Sequence, residues 1–444
     1  MSTEATTAGA PRHDLWDRLL IVVIFAGVAG LYYAAVATPL LQPLFDVAGR
    51  EHWSMLWVRA TVIWITLGLV LMLARTIFWM RYRPFAAAVA EEAPLLTVIV
   101  PAYNEGAMVE LAVASIAQAR YPRERLEIFA IDDGSTDDTW RYIQRAARRF
   151  PDLVTALRMP TNTGKRAALV AGIRRARGEI VVTVDSDSVI ERDTLLAIAG
   201  PFRDARVGAV AGKVLVYNRR TGVIPRMLHV RFVLSFDFLR SAQSMFRTVY
   251  CCPGTLAAYR MAAVREVLEQ WINQRFLGVQ CTYGEDRAMT NFILAAGYDT
   301  VYQRSAVVHT VVPETYGKLC LMFLRWDRSY IREELRFARI VWKRPPLWRA
   351  LALYESAVTN LRFPIGYLSI GLWIVHMFED PGAFMRMLFA IAMAATVYVL
   401  YYLRSERSWD AVLGVVYAYF SFFALTWIFP YAALTLRARG WLTR

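Results

Sequence analysis

Residues 179–187 read Glu179-Ile180-Val181-Val182-Thr183-Val184-Asp185-Ser186-Asp187, and they give the strongest indication of the fold class. Its first six residues form a short apolar run rich in β-branched side chains, which predicts a buried strand. The strand stops at Asp185 and Asp187, which stand one residue apart. Two hard oxygen ligands at a strand end are suited to a divalent cation that bridges a diphosphate. A carboxylate after a single strand is more often a turn residue, so the interpretation depends on the rest of the chain.

Two further strands are predicted upstream, and each ends in a polar cluster. The strand Leu96–Pro101 is followed by Tyr103-Asn104-Glu105, and the strand Leu126–Ile131 by Asp132-Asp133. Helices are predicted over residues 107–119 and 167–175. Strands that alternate with helices predict a mostly parallel sheet, in which ligands bind at the carboxyl ends of the strands. Three polar clusters at one sheet edge therefore predict a single ligand cleft.

The second half of this region offers chemical partners for the cleft. Gly284-Glu285-Asp286-Arg287 precedes a predicted helix at 288–296, where a carboxylate can act as a general base or as an N-cap. Residues 322–341 predict a basic amphipathic helix of the kind that lies on a membrane surface. Arg325 and Trp326 differ from its other residues, because a planar cation and an aromatic plate suit diphosphate and sugar binding. Within Asn162–Arg166, Lys165 is a candidate phosphate contact.

The composition indicates a membrane protein. Of the 444 residues 57% are hydrophobic, and the mean hydropathy of +0.32 is too high for an ordinary soluble protein. Membrane crossings are predicted at 19–41, 55–80, 354–378 and 383–403. The stretch 412–436 is long enough to cross, but Pro430 interrupts it, so it is either a broken interfacial helix or a further crossing.

Arginines set the predicted orientation. They flank the outer ends of the first pair of crossings and follow the second pair, so the positive-inside rule places the central domain in the cytosol of a multi-pass inner-membrane protein. Glu355, Asn360 and Arg362 stand near the start of the third crossing, where they either face the bundle interior or lie at the interface.

The net charge of +14 and a pI near 9.7 are compatible with nucleic acid, anionic lipid or an anionic substrate. Basic runs interleaved with aromatic residues are absent from the sequence outside the membrane-flanking regions, so we expect no nucleic-acid partner. The four cysteines lack the spacing of a zinc site or a disulfide framework, which indicates reduced thiols in the cytosol. The lipid bilayer is the expected partner, and the sequence leaves protein partners open.

Taken together, these motifs resemble the processive inverting GT-A membrane glycosyltransferases. These are the hyaluronan synthases, chitin synthases, rhizobial chitin-oligosaccharide synthases and, more distantly, cellulose synthases. The resemblance covers about Leu96 to Arg332 and the C-terminal tetrapeptide. Residues 271–278 and 284–291 are similar to hyaluronan synthases, whereas Val311–Thr315 and the Gly-Glu-Asp form of the acidic motif are similar to the rhizobial enzymes.

The resemblance implies a fold and a domain order. The fold is an α/β GT-A cytosolic domain with a Rossmann-like mixed sheet, combined with an α-helical transmembrane region and amphipathic interface helices. We expect an N-terminal membrane region with two transmembrane helices at 1–83 and the glycosyltransferase domain at 84–315. The interface helix with the Arg-Trp motif follows at 316–349. A C-terminal membrane region occupies 350–444 and holds two transmembrane helices, a broken or third helix and a gating segment.

The resemblance also implies roles for individual residues. Asp286 would be the general base, and Asp185 and Asp187 would hold the diphosphate through Mg²⁺ or Mn²⁺. The remaining substrate-binding positions fall into four groups. Pro101, Tyr103, Glu105, Asp133 and Lys165 would bind the UDP-sugar. Cys251 and Gly254 would line the glycan acceptor, with Glu285 and Arg287 as further substrate-binding residues beside the base. Arg325 and Trp326 would hold the leaving diphosphate and the acceptor sugar, and Trp441 and Arg444 would close over the nucleotide.

One departure from the family pattern matters for function. The Gln-x-x-Arg-Trp motif begins with Met322 here, and a thioether cannot donate the hydrogen bonds of an amide. Leu442 also replaces a glycine in the C-terminal motif. Three hypotheses therefore stand. The first is a processive synthase with UDP-GlcNAc as the leading donor, UDP-GlcA as a candidate second donor and UDP-glucose left open. The others are a non-processive transferase that adds one sugar to a membrane lipid, and an inactive membrane scaffold.

Overall fold

The computed structural model describes residues 15–37 and 52–438, and they form two compact units. One unit contains the described residues up to Met80 together with Ala350–Ala424, and we call it the membrane unit. The other contains Arg81–Arg349 and residues 425–438, and we call it the catalytic unit.

The elements are numbered here in chain order. The helices are α1 (Leu15–Ala37), α2 (His52–Arg81), α3 (Met108–Ala117), α4 (Thr139–Arg149), α5 (Lys165–Ile173), α6 (Thr194–Ala199), α7 (Val223–Val233), α8 (Arg240–Met245), α9 (Met261–Ile272), α10 (Glu285–Ala295), α11 (Tyr316–Ile340), α12 (Pro346–Glu379), α13 (Gly382–Glu406), α14 (Val412–Phe420) and α15 (Ile428–Leu434). The strands are β1 (Leu96–Ala102), β2 (Leu126–Asp132), β3 (Val154–Arg158), β4 (Ile180–Val184), β5 (Ser188–Ile190), β6 (Val207–Val216), β7 (Leu256–Arg260), β8 (Arg275–Phe276), β9 (Val279–Gln280) and β10 (Asp299–Thr310).

Three apolar helices of the described chain are long enough to cross a membrane: Val62–Arg81, Pro346–Phe378 and Gly382–Glu406. The third and fourth predicted crossings lie within the last two of these helices, and the second, 55–80, overlaps the first from residue 62 onward. The first predicted crossing begins in α1, whose apolar stretch Arg18–Leu31 is shorter than a full span. Residues 38–41 of that prediction lie outside the described residues, so it stays a prediction.

The last apolar stretch is a broken helix, and its place in the interface or across the membrane stays a prediction. Its two parts, Trp409–Leu425 and Ile428–Leu434, are bent by 42°. The bend precedes Pro430, which lies in the first turn of α15, where the missing amide hydrogen costs no helical hydrogen bond. The π-helical turn Ser421–Leu425 ends the first part.

The membrane unit contains a buried ion pair. Arg75 of α2 donates from Nη2 to Glu355 Oε1 at 2.9 Å and to Thr359 Oγ1 at 3.0 Å, and Glu355 is buried. Glu355 therefore faces a packed helix neighbour, which is the usual place for an ionisable group at such depth. Arg362 is exposed and covers the ring of Phe363.

The catalytic unit is built on an eight-stranded mixed sheet in the order β3-β2-β1-β4-β7-β6-β10-β5. The first four strands in this order are parallel, β7 is antiparallel to both of its neighbours, β6 and β10 are parallel, and β5 is antiparallel at the edge. Every residue of β1, β2 and β4 is buried, as in sheets with helices on both faces. The predicted strands end within one residue of the observed ends, so the three polar clusters lie at the same edge.

Helix α11 is longer than the predicted 322–341 and packs into the catalytic unit. Arg328, Arg332 and Glu333 are at most 6% exposed. The amphipathic pattern that we interpreted as membrane-facing is explained, for these residues, by packing against protein.

Candidate active site

The loops at the carboxyl edge of the sheet are held together by hydrogen bonds between the predicted clusters. Ser186 donates to Glu105 Oε1 at 3.0 Å, which joins the loop after β4 to the loop after β1. Asp133 accepts the backbone amides of Thr163 at 2.9 Å and Gly164 at 2.8 Å. Asp133 thus fixes the turn that begins α5, and the first residue of that helix is Lys165.

Pro101 and Tyr103 come from the end of β1 at the same edge. Pro101 pairs with Ile131 of β2 in the parallel register, and Tyr103 follows the last residue of β1. Both residues therefore stand beside the loops that carry Glu105 and Asp133.

Lys165 joins the donor-side and acceptor-side motifs. Its Nζ forms ion pairs with Asp185 Oδ1 and, at 3.0 Å, with Glu285 Oε1. Although burial lowers the pKa of Lys165, the two carboxylates raise it above its ordinary value. Burial by itself raises the pKa of Glu285, but the charges of Lys165 and Arg325 hold it at about 2. A Cβ on Gly254 would lie 2.8 Å from Lys165 Nζ, so a larger residue there would displace the lysine ammonium group.

Asp286 lies in the first turn of α10 beside this ion pair. Its Oδ2 accepts the amide of Gly254 at 3.2 Å and lies 3.8 Å from the Cys251 thiol, while Oδ1 accepts the amide of Arg287 at 2.7 Å. The helix has Gly284 at the N-cap without a side-chain cap, so the N-cap alternative for these carboxylates is wrong. Burial and the negative charge of Glu285 raise the pKa of Asp286, which favours a base able to accept a proton.

Asp185 and Asp187 provide the donor set expected for a divalent cation. Thr255 donates to Asp185 at 3.3 Å, and Thr310 donates to Asp187 at 3.2 Å. Burial and the charge of Asp185 raise the pKa of Asp187 to about 6. A cation would offset this excess negative charge, so the residues fit the ion. The described part of the chain holds no group of three or more acidic, His or Cys side chains around one point. Two carboxylates are the number typical of Mg²⁺ shared with substrate phosphates.

The Arg-Trp motif lies on α11. The ring of Trp326 packs against Phe323 at 5.6 Å and Phe232 at 6.2 Å between centroids. Arg325 is close enough to Glu285 to lower the pKa of that carboxyl. Arg287 of α10 forms an ion pair with Glu334 of α11, so this predicted substrate-binding residue also holds the two helices together.

Several residues that support the site were not predicted from the sequence. Thr255 and Thr310 orient the two aspartates, yet each is a single threonine at a strand boundary. Trp271 donates from Nε1 to the Glu285 carbonyl oxygen at 3.0 Å and so supports the start of α10. Trp271 is the first residue of the stretch 271–278 that resembles hyaluronan synthases, and this resemblance could have identified it. Trp441 and Arg444 lie outside the described residues.

Comparisons with known proteins agree with this architecture. The model of the family described as Glycosyl transferase family 2 matches residues 97–268. An N-acetylglucosaminyltransferase of Rhizobium meliloti (strain 1021) is 31% identical over 355 residues, which cover 79% of this chain and 82% of that protein. The hyaluronan synthase of Streptococcus pyogenes is 30% identical over 359 residues, which cover 78% and 82%, respectively. A mannosyltransferase from Pyrobaculum calidifontis, solved in complex with GDP-Man and Mn²⁺, matches with a TM-score of 0.55 at 24% identity, covering 85% of this chain and 98% of that chain. At this identity the likeness concerns the fold.

Proposed function

The chain belongs to glycosyl transferase family 2, and we propose that it transfers a sugar from a UDP-sugar to a growing β-linked polysaccharide and helps to move that polymer across the inner membrane. The chain is a glycosyltransferase with a GT-A fold, of the processive membrane type that includes hyaluronan synthase. The observation that supports the proposal is the position of Asp286, a half-buried carboxylate with a raised pKa beside the Lys165 ion pair.

The proposed chemistry is a single displacement with inversion. The Asp286 carboxylate takes the proton of the acceptor hydroxyl while the hydroxyl oxygen attacks the anomeric carbon of the donor. The bond between that carbon and the diphosphate breaks, and UDP leaves with the bonding electron pair. Arg325 would stabilise the charge on the departing diphosphate. A single displacement converts an α-linked donor into a β-linked product.

A divalent cation held by Asp185 and Asp187 would neutralise charge on the diphosphate when bound. Mg²⁺ and Mn²⁺ both prefer such oxygen ligands, and we propose either as the cofactor. The chain's own contribution is to hold these two carboxylates with Thr255 and Thr310 and to keep Lys165 next to Asp185. Pro101, Tyr103, Glu105 and Asp133 would surround the uridine.

We propose UDP-GlcNAc as the principal donor and UDP-GlcA as a candidate second donor. The Rhizobium meliloti relative is an N-acetylglucosaminyltransferase and the Streptococcus pyogenes relative is a hyaluronan synthase. Acceptor sugars would stack on Trp326, with Cys251 and Gly254 along the path to Asp286. The helices of the membrane unit would carry the product outward, with the catalytic unit in the cytosol, and Trp441 and Arg444 would close over the nucleotide.

A second candidate is a non-processive transferase that adds one sugar to a membrane lipid. The observation that favours it is Met322, which is buried on α11 one turn before Trp326. A glutamine there could donate hydrogen bonds to an acceptor chain, whereas the thioether cannot. The donor site would be the same in both candidates.

Product size separates the candidates. The purified full-length protein is incubated with radiolabelled UDP-GlcNAc, UDP-GlcA, UDP-glucose or a GlcNAc–GlcA mixture, each with Mg²⁺ or Mn²⁺, and the products are sized. A long polymer supports the synthase, and a single-sugar lipid supports the second candidate. UDP release at the background rate with every donor would contradict both and favour an inactive scaffold.

A further inference from the structure

The C-terminal segment Leu425–Ala438 packs in the catalytic unit, although the helix before it belongs to the membrane unit. We call these residues the C-terminal strap. Arg328 of α11 donates from Nη2 and Nε to Thr435 Oγ1 at 2.8 and 3.1 Å. Tyr283 donates from its hydroxyl to the Ala438 carbonyl oxygen at 3.0 Å. The strap therefore has two polar attachments, and Tyr283 belongs to the chain that leads directly into α10.

Tyr283 is held from a second side by α11. Arg332 donates from Nη2 to the Tyr283 carbonyl oxygen at 2.7 Å, and the guanidinium lies over the tyrosine ring at 5.4 Å. The next residue, Gly284, has a φ of +71°, and a Cβ there would lie 1.9 Å from Ser329 Oγ. The backbone just before α10 is thus fixed between α11 and the strap, with little room to move.

This clamped backbone ends at the proposed base. Asp286 is three residues after Tyr283, in the first turn of α10. The Oδ2–Gly254 amide hydrogen bond that orients its carboxylate is 3.2 Å long, so a small shift of the helix start would weaken it. The donor side keeps a contact outside α10, since Lys165 also pairs with Asp185 on the loop after β4.

We propose that Tyr283 is a positioning residue that couples the C-terminal strap to the base-bearing start of α10. When the strap is attached, the Tyr283 hydroxyl bond and the Arg332–carbonyl bond together set the orientation of Asp286. When the strap is detached, Asp286 loses its alignment with the acceptor hydroxyl while the donor contacts remain. The proposal rests on the proposed role of Asp286 as the base.

Two conservative variants of the full-length protein test the coupling. Tyr283→Phe keeps the ring and removes the donor to Ala438, and Thr435→Val keeps the side-chain shape and removes the acceptor for Arg328. Thr396→Val in α13 is the matched control, because the Thr396 hydroxyl donates to Ala392 in its own helix at 2.8 Å. Each protein is measured by hydrogen–deuterium exchange without donor and by steady-state turnover with donor.

We expect the backbone amide hydrogens of both variants to exchange faster in the strap and across residues 283–290. We expect kcat to fall about three- to tenfold, which corresponds to the free energy of one lost hydrogen bond. The KM for the donor should stay within about twofold of the wild type, and the Thr396→Val control should match the wild type in every measurement. Faster exchange in the strap with unchanged exchange at 283–290 would overturn the proposal. An equal change of kcat and donor KM with faster exchange throughout the catalytic unit would overturn it too, because that result indicates general destabilisation.

The two readouts also separate this proposal from the proposed function. If the wild type transfers no sugar from any donor, the proposed function fails, while the exchange data still decide whether the strap and α10 are coupled. If turnover is normal in both variants, the positioning role fails and the proposed function stands.

Discussion

Replacing Lys165 with methionine should destabilise the protein far more than the loss of a surface cation. The Lys165 Nζ–Glu285 Oε1 distance is 3.0 Å, and at an effective dielectric constant of about 20 two unit charges at this distance attract by about 5 kcal/mol, before the cost of desolvation. The methionine variant leaves the carboxylates of Asp185 and Glu285 without their shared cation. Removing one partner of a buried pair costs about 3–5 kcal/mol, which for a unit of this size lowers Tm by about 6–10 °C.

The assay is thermal unfolding of the full-length protein in detergent at pH 7.5 without added metal. Arg174→Met is the matched control, because Arg174 pairs with Glu269 at a similar distance of 3.2 Å but both side chains are more than half exposed. That pair is worth at most about 1 kcal/mol. Combining Lys165→Met with Glu285→Gln should restore about 1–3 kcal/mol relative to additivity, since the neutral amide no longer needs a counterion.

The same ion pair predicts how the stability of the protein changes with pH. The pKa of Glu285 is held at about 2 against an ordinary value of 4.5, so its stabilisation is complete above pH 4.5 and is lost as the pH falls towards 2. The difference in Tm between the wild type and Glu285→Gln should therefore shrink as the pH falls through this range. Equal stability of Lys165→Met and Arg174→Met, or strict additivity in the double variant, would refute the reasoning.

Three further variants probe the site. Asp286→Asn should keep the wild-type Tm within a few degrees and lower kcat by about 10²–10⁴ in UDP release assays, and normal turnover would remove the base assignment. Asp187→Asn should abolish metal-dependent turnover, yet it should raise the free energy of unfolding of the metal-free protein at pH 7.5 by up to about 3 kcal/mol and so raise Tm. The reason is that burial and Asp185 raise the pKa of Asp187 to about 6, so its charge is unfavourable above that pH. A lower Tm would contradict this. Gly284→Ala should reduce the yield of folded protein, because an added Cβ meets Ser329 Oγ at 1.9 Å and φ is +71°; a wild-type yield and Tm would show that the loop adapts.

Sequence alone was sufficient for the strands β1, β2 and β4 and for the apolar helices of the second, third and fourth predicted crossings. Short β-branched runs that end in acids predicted β1, β2 and β4 nearly to the residue, because strand burial and turn chemistry are local properties. The interruption near Pro430 was predicted, and the helix Tyr316–Ile340 begins six residues before its predicted start at 322. The order of the mixed sheet, with β7 antiparallel between β4 and β6, has no signal in the local pattern.

The pairing of charges in the site depends on the folded chain and not on local sequence. Lys165, Asp185 and Glu285 lie in separate motifs, and sequence reasoning assigned the lysine to the nucleotide without finding its two carboxylate partners. The role of Arg328 and Arg332 was likewise misread as membrane-facing, because a helical pattern of basic and apolar residues is the same whether lipid or protein covers the face. Local sequence determines where a strand or helix forms and which groups it carries. Only the folded chain determines which carboxylate stands beside which cation, since electrostatic energy depends on distance in space and on burial rather than on separation along the chain.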